Sequence, residues 1–311
     1  MSSEGQIAVV IAAYNAGATL ERAIGSALAQ PQTAEVCVVD DASLDATLAL
    51  AQAWSVRDGR VCTYGSTVNG GPGAARNLAI ANSRAPWIAV IDADDYILPG
   101  RFATLLGAAG EADFVADALI RTPQGVEPDV SLQAFQAETL SFEAFVLGNL
   151  GRSRGPLDLG FLKPLMRRTF LEAHGLRYQS ALRLGEDYEF YARALALGAR
   201  FLVGNPAGYV SIERPGSLSK DHSERDLELL RDCDRALAQI RTLTAAESRA
   251  LARHWASVDC RLQWRRLISA VKANDLGAAL STFRTPETAI YLAGKLSEQV
   301  WRRSTSAWRQ A

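Results

Sequence analysis

The sequence predicts an α/β fold, a mostly parallel sheet sandwiched by helices, followed by a helical extension. Three observations carry this. The first hundred residues alternate short β-rich apolar runs with segments of helical period, the pattern of a parallel sheet covered by helices. Three of the apolar runs end in polar clusters, Tyr14-Asn15, Asp40-Asp41 and Asp92-Ala93-Asp94-Asp95, as strands do around the ligand crevice of an open α/β sheet. Beyond Ser223 only long helical patterns remain.

Strands are expected at residues 7–13, 35–39, 60–64 and 87–91. Between the first two, Thr19 is placed to cap a helix that carries Leu20, Ile24, Ala27 and Leu28 on one face. Further helices are expected over 45–54 and 74–83. The middle of the chain is less regular. It offers a strand at 113–119, a turn-rich stretch at 122–128, helices near 141–147 and 167–174, and Gly185-Glu186-Asp187-Tyr188-Glu189 opening a helix to about 197. Helices over 224–242, 245–271, 276–283 and 287–303 complete the chain, with the domain boundary placed between 222 and 223.

Composition removes several classes of function. With 311 residues, 48% hydrophobic and 22% charged, the chain can bury one substantial core or two modest ones. A net charge of -1 lacks the basic excess that nucleic-acid binding favours. Four scattered cysteines and 3 histidines offer no zinc spacing and fit a reducing compartment. No apolar run is long enough to span a bilayer, and the first residues lack the features of a signal peptide, so a cytoplasmic protein is expected, at most resting on a membrane. Charge is unevenly spread: residues 226–311 hold 14 Lys/Arg against 9 Asp/Glu, and residues 1–225 hold 19 against 25. Trp301, Arg302, Arg303, Trp308 and Arg309 suit a membrane interface, or a solvated terminal helix. Leu251, Trp255, Val258, Leu262 and Leu267 form a packing stripe, against the preceding domain or a second copy. Trp264, Arg265 and Arg266 fall off it, facing solvent or lipid headgroups.

The candidate chemistry lies at the strand ends. Three carboxylates in Asp92-Ala93-Asp94-Asp95 repel one another, so the fold must supply positive charge or hydrogen bonds. Hard oxygen ligands at such a place select Mg2+ or Mn2+, with phosphates and waters completing the shell. Asp41 could accept from a nucleobase imide or ribose hydroxyl, whereas Asp45 reads as a helix cap. Asn69-Gly70-Gly71-Pro72-Gly73-Ala74-Ala75-Arg76-Asn77 is a glycine-rich loop opening a helix, suited to close backbone approach and to anions. It is no P-loop, and no G-x-G-x-x-G follows the first strand. His174 and His222 read as packing or surface residues.

Taken in order, Ile11-Ala-Ala-Tyr14-Asn15, Val39-Asp40-Asp41-Ala-Ser43-x-Asp45, Asn69-x-Gly-x-x-x-Ala75-Arg76-Asn77 and Asp92-x-Asp94-Asp95 resemble the family 2 glycosyltransferases of GT-A fold. The resemblance continues through Gly185-Glu186-Asp187 and Arg214-Pro-Gly-Ser217. It implies an inverting transfer of a hexose from a nucleotide-diphosphate sugar, most often UDP-linked, to an acceptor hydroxyl. By position it places Ala13, Tyr14, Asn15, Asp41 and Gly71 around the nucleotide, and Arg76 beside the base or phosphates. Asp92 and Ala93 join the nucleotide-sugar contacts, and Asp94 and Asp95 hold the cation. Asp187 becomes the general base, with Glu186 assisting or binding acceptor. Many relatives carry a His where this chain has Arg214, which cannot ligate a metal but can pair with a diphosphate.

By analogy the acceptor would be a lipid-linked oligosaccharide of exopolysaccharide or surface polysaccharide synthesis, met at the inner face of the cell membrane. Two other readings stay open at this point: a sugar-1-phosphate nucleotidyltransferase, and a non-catalytic nucleotide-sugar-binding scaffold.

Overall fold

The computed structural model describes residues 5–128, 130–150, 159–213 and 222–308. It divides into two compact units, Met1–Ser217 and Leu218–Ala311.

In the first unit, an eight-stranded sheet is built from β1 (Ile7–Ala13), β2 (Thr33–Asp40), β3 (Val61–Gly65), β4 (Trp87–Val90), β6 (Phe114–Asp117), β8 (Ala137–Thr139), β9 (Leu165–Arg167) and β10 (Phe201–Gly204). Their order is β3-β2-β1-β4-β9-β6-β10-β8. β1 lies between β2 and β4, parallel to both. Six of its seven residues are buried, which is why it reads as a continuous apolar run instead of an alternating one. Ile7, Val9 and Ile11 pack with Val36, Val38, Leu20, Ile24, Phe102 and Leu105.

The irregular middle of the sequence is where expectation and structure part. β9 is antiparallel to both β4 and β6, wedged between them. β7 (Ile120–Pro123) runs into the start of the turn-rich stretch and pairs with β11 (Tyr209–Glu213), which in turn pairs with β5 (Tyr96–Ile97), in a second, three-stranded sheet. Strands of two to five residues are too short to show a period, so only long-range pairing reveals them. This small sheet brings Tyr209 and Ile212 up to the Asp92–Asp95 turn.

The helices of this unit are α1 (Leu20–Leu28), α2 (Thr47–Arg57), α3 (Pro72–Ala81), α4 (Arg101–Ala109), α5 (Phe142–Gly148), α6 (Arg168–Ala173) and α7 (Glu186–Ala196). α3 starts two residues before the expected 74 because Pro72, whose ring fixes a helical φ, occupies its first turn. Gly185, in the left-handed region at φ 71, delivers the chain into α7.

The second unit comprises α8 (Glu224–Leu237), α9 (Ala245–Lys272), α10 (Leu276–Ser281) and α11 (Pro286–Trp308). Reciprocal capping boxes, Ser223 with Asp226 and Thr244 with Glu247, set the starts of α8 and α9. Leu251, Val258, Leu262 and Leu267 are buried as a stripe. Arg266 is engaged within the unit, bonded to Glu228. Among the described residues no helix is long and apolar enough to cross a membrane.

Candidate active site

The loops after β1 and β2 are laced together before any ligand is considered. Asn15, at φ 50, donates its N–H to Ser43 Oγ (2.9 Å) and accepts from Leu44 N–H (2.8 Å) through its side chain. Asparagine tolerates this left-handed backbone. Gly17 N–H donates to Asp45 Oδ2 at 3.0 Å, so Asp45 ties the two loops together as well as bonding Thr47 N–H at the start of α2. Tyr14 stays 44% exposed at the mouth of these loops, while Ala13 is buried at the end of β1.

Asp41 organises the glycine-rich loop. Its two carboxylate oxygens accept from Gly70 N–H (2.8 Å) and Gly71 N–H (2.7 Å). Gly71 has φ 85 and ψ 168, a conformation reserved for glycine. Arg183 donates to the Asn69 side chain and carbonyl at 2.6 and 2.7 Å, and Asn77 clips the backbone of Tyr178 through two 2.8 Å bonds. The asparagines of this motif therefore hold backbone in place.

α3 carries Arg76 inward, 4% exposed, to the end of β4. Its guanidinium pairs with Asp92 (2.9 Å), Glu186 (3.1 Å) and Asp187 (2.9 Å). Lys163, 3% exposed, reaches the same carboxylates from the other side, 2.8 Å from Asp187 Oδ2 and 3.2 Å from Asp92 Oδ2. Three acids thus share two cations, which is what makes their close approach tolerable. Burial pushes the Asp92 carboxyl up, but Lys163 and Arg76 outweigh it and hold it below the usual carboxylate range. Burial, followed by the charge of Asp187, pushes Glu186 up against the pull of Arg76. Burial opposes the charge on Arg76, yet Asp187 and Asp92 raise it well above its ordinary value, so it stays a cation.

The turn Asp92–Asp95 closes through Asp95 N–H to Asp92 O at 3.0 Å. Asp92 N–H donates to the Tyr209 hydroxyl at 3.1 Å. Ala93 is 8% exposed. Asp94 is half-buried, and its carbonyl accepts from Arg22. Asp95, expected beside Asp94 on a cation, is only 5% exposed, and its Oδ1 accepts from Ile212 N–H at 2.9 Å. Burial first, then the charges of Asp92 and Asp94, push its carboxyl up to about 7.

The structure accordingly gathers Arg76, Asp92, Glu186 and Asp187 into one cluster. It stands Asp41 with Asn69, Gly70 and Gly71 in the adjoining loop, and turns Asp95 toward the second sheet. Arg76, expected beside the base or phosphates, is enclosed by acids. Arg214 lies outside the described residues. Lys163 and Tyr209 bond to this cluster but carry no motif. What could have drawn attention to Lys163 is a lone lysine within the apolar stretch Phe161-Leu162-Lys163-Pro164-Leu165.

A family model described as glycosyl transferase family 2 matches residues 8–174. The chain is 40% identical over 305 residues to succinoglycan biosynthesis protein ExoU of Rhizobium meliloti (strain 1021), across 95% of this chain and 88% of that protein. It is 36% identical over 282 residues to ExoO of the same organism, across 89% and 80%. Among solved structures, S. aureus TarS 1-349 in complex with UDP-GlcNAc is similar at TM-score 0.65 and 19% identity, covering 89% of this chain and 90% of that one. Mannosyltransferase PcManGT from Pyrobaculum calidifontis, in complex with GDP-Man and Mn2+, is similar at TM-score 0.58 and 15% identity, covering 96% and 87%. The fold expected from the motifs, GT-A, is the fold found.

Proposed function

The chain belongs to glycosyl transferase family 2, and from that premise we propose that it is an inverting hexosyltransferase. In this reading it draws on a UDP-linked donor and extends a lipid-linked oligosaccharide during exopolysaccharide synthesis. Membership sets aside the nucleotidyltransferase and scaffold readings. The names of ExoU and ExoO support the polysaccharide acceptor, and the UDP-GlcNAc of TarS supports the donor class.

One observation carries the mechanism: Asp187, in the first turn of α7, is bound into the same charged cluster as Asp92 at the end of β4. Asp92 and Ala93 face the donor in this proposal, with Tyr14, Asn15, Asp41 and Gly71 shaping the nucleoside site. Each Asp187 oxygen accepts from one cation, and a carboxylate oxygen has two lone pairs, so one remains for an acceptor hydroxyl. Asp187 takes the hydroxyl proton as the acceptor oxygen bonds to C1 and the C1–O bond to the diphosphate breaks on the opposite face. Inversion follows from that single displacement. Glu186 binds or orients the acceptor.

The donor set fits a cation held jointly with the substrate. Among the described residues no three His, Cys, Asp or Glu side chains form a cage, and both oxygens of Asp92 are engaged by Arg76 and Lys163. One or two carboxylates completed by substrate phosphates is how Mg2+ or Mn2+ is commonly bound. Asp94 would hold the ion, joined by Asp95 if its buried carboxyl turns from the second sheet toward the substrate. When bound, such an ion neutralises charge on the leaving diphosphate. Contact with a membrane surface, through the segment that includes Trp301 (66% exposed), completes the proposal.

The test is UDP release from a panel of nucleotide sugars with a lipid-linked acceptor, with and without Mn2+. Turnover should require the cation, and Asp187→Asn should lower kcat by about 10²- to 10⁴-fold. Full transfer by that variant would remove Asp187 as the base.

A further inference from the structure

Four side chains in the catalytic unit form a closed ring of alternating charge. Arg76 Nη2 meets Asp92 Oδ1 at 2.9 Å, Asp92 Oδ2 meets Lys163 Nζ at 3.2 Å, Lys163 Nζ meets Asp187 Oδ2 at 2.8 Å, and Asp187 Oδ1 returns to Arg76 Nη1 at 2.9 Å. Each carboxylate is gripped at both oxygens by different cations, so its plane is set as well as its position. Asp92 sits at the end of β4 and Asp187 on α7, and the ring prevents either from shifting without the other.

Lys163 is braced from behind. Arg101 and Asp117 are both wholly buried and paired at 2.7 Å, and Arg101 also donates to the Lys163 carbonyl at 2.6 Å. Asp117 Oδ2 accepts from the N–H groups of Ala207 and Tyr209, and the Tyr209 hydroxyl in turn accepts from Asp92 N–H. The backbones of Lys163 and Asp92 are therefore referred to one internal ion pair by two separate routes. The Lys163 ammonium offsets the charge of Asp92 and Asp187, and because it bonds both it also sets where they stand.

We infer that Lys163 is a positioning residue for transfer, which fixes the separation of Asp92 from Asp187 and aims the Asp187 carboxylate at the acceptor. The inference rests on the reading of Asp187 as the base. Lys163 acts through Asp187 and makes no bond to the reacting atoms.

A double-mutant cycle of Lys163→Met and Asp187→Asn tests it, with kcat, donor KM and calorimetric UDP affinity measured on the full chain. Misplacing a catalytic group by about 1 Å can lower a rate by about 10²-fold, and that fall in kcat is expected for Lys163→Met. UDP affinity and donor KM should change less than kcat, because the Asp41 loop is held by its own bonds and Asp92 keeps its pair with Arg76. In the Asp187→Asn background the same substitution should change kcat by less than about threefold, since its target is already gone. An equal loss of kcat in both backgrounds, an unchanged kcat, or a change confined to KM would each overturn the role. If Lys163→Met fails to fold, Lys163→Arg carries the same cycle, keeping the charge while altering the geometry. Wild-type protein that binds no UDP and releases none from any nucleotide sugar refutes the proposed function instead.

Discussion

Removing the carboxylate of Asp117 should destabilise the first unit more than any other single truncation of a polar side chain described above. Asp117 accepts four bonds with no exposed surface: Arg101 Nε at 3.0 Å and Nη2 at 2.7 Å on one oxygen, and Ala207 and Tyr209 N–H at 3.0 and 3.2 Å on the other. Asp117→Ala strands a wholly buried guanidinium, whose Nη1 already lacks a partner, and two backbone donors. Breaking a buried pair from one side costs about 3–5 kcal/mol, and each orphaned amide about 1–3 kcal/mol. The groups share one environment, so the losses overlap and the net is about 5 kcal/mol or somewhat more. That is a large part of the roughly 5–15 kcal/mol by which a domain is stable. Asp117→Asn keeps an acceptor oxygen and should lose about 3 kcal/mol, and adding Arg101→Met should recover part of it by removing the unpaired charge. Hydrogen exchange of β1 and β4 peptides in the full chain reads this unit without assuming that both units unfold together. A loss below about 1 kcal/mol for Asp117→Ala would refute the account of this pair as an internal brace.

Three further outcomes are expected. Gly71→Ala forces a side chain into a glycine-only backbone region, which should cost about 1–3 kcal/mol and, by displacing the Asp41 loop, weaken UDP binding; denaturation and calorimetry check the two effects. Glu247, hydrogen-bonded by Arg241, has its carboxyl held down to about 2, so its contribution is complete above its ordinary pKa and is lost as pH falls toward 2. Arg241 is partly exposed, so Glu247→Gln should lose only about 1 kcal/mol at neutral pH, and calorimetric melting of variant and wild type should converge in acid. Burial pushes the Cys37 thiol up to about 12, leaving about one thiolate in 10⁴ at pH 8, whereas Cys62 is exposed. A disulfide reagent should therefore label Cys62 on the native protein and reach Cys37 only on unfolding, and equal rates would refute that burial.

The sequence by itself determined the first half of the sheet and the strand ends at which the candidate site is proposed. β1 and β4 are buried along nearly their whole length, so they appear as apolar runs, and the acids that follow β4 mark a strand end. α7 announces itself through Gly185 and the acids of its first turn. Only the tertiary structure decided that β9 enters antiparallel between β4 and β6, that Asp95 turns toward Ile212, and that Lys163 joins the acids. Helix and strand leave a local, periodic record, whereas charge pairing does not. Arg76 and Asp187 stand 111 positions apart, and Arg101 bonds a carbonyl 62 positions away. Burial demands that each of these groups find a partner, but closure of the chain chooses which one.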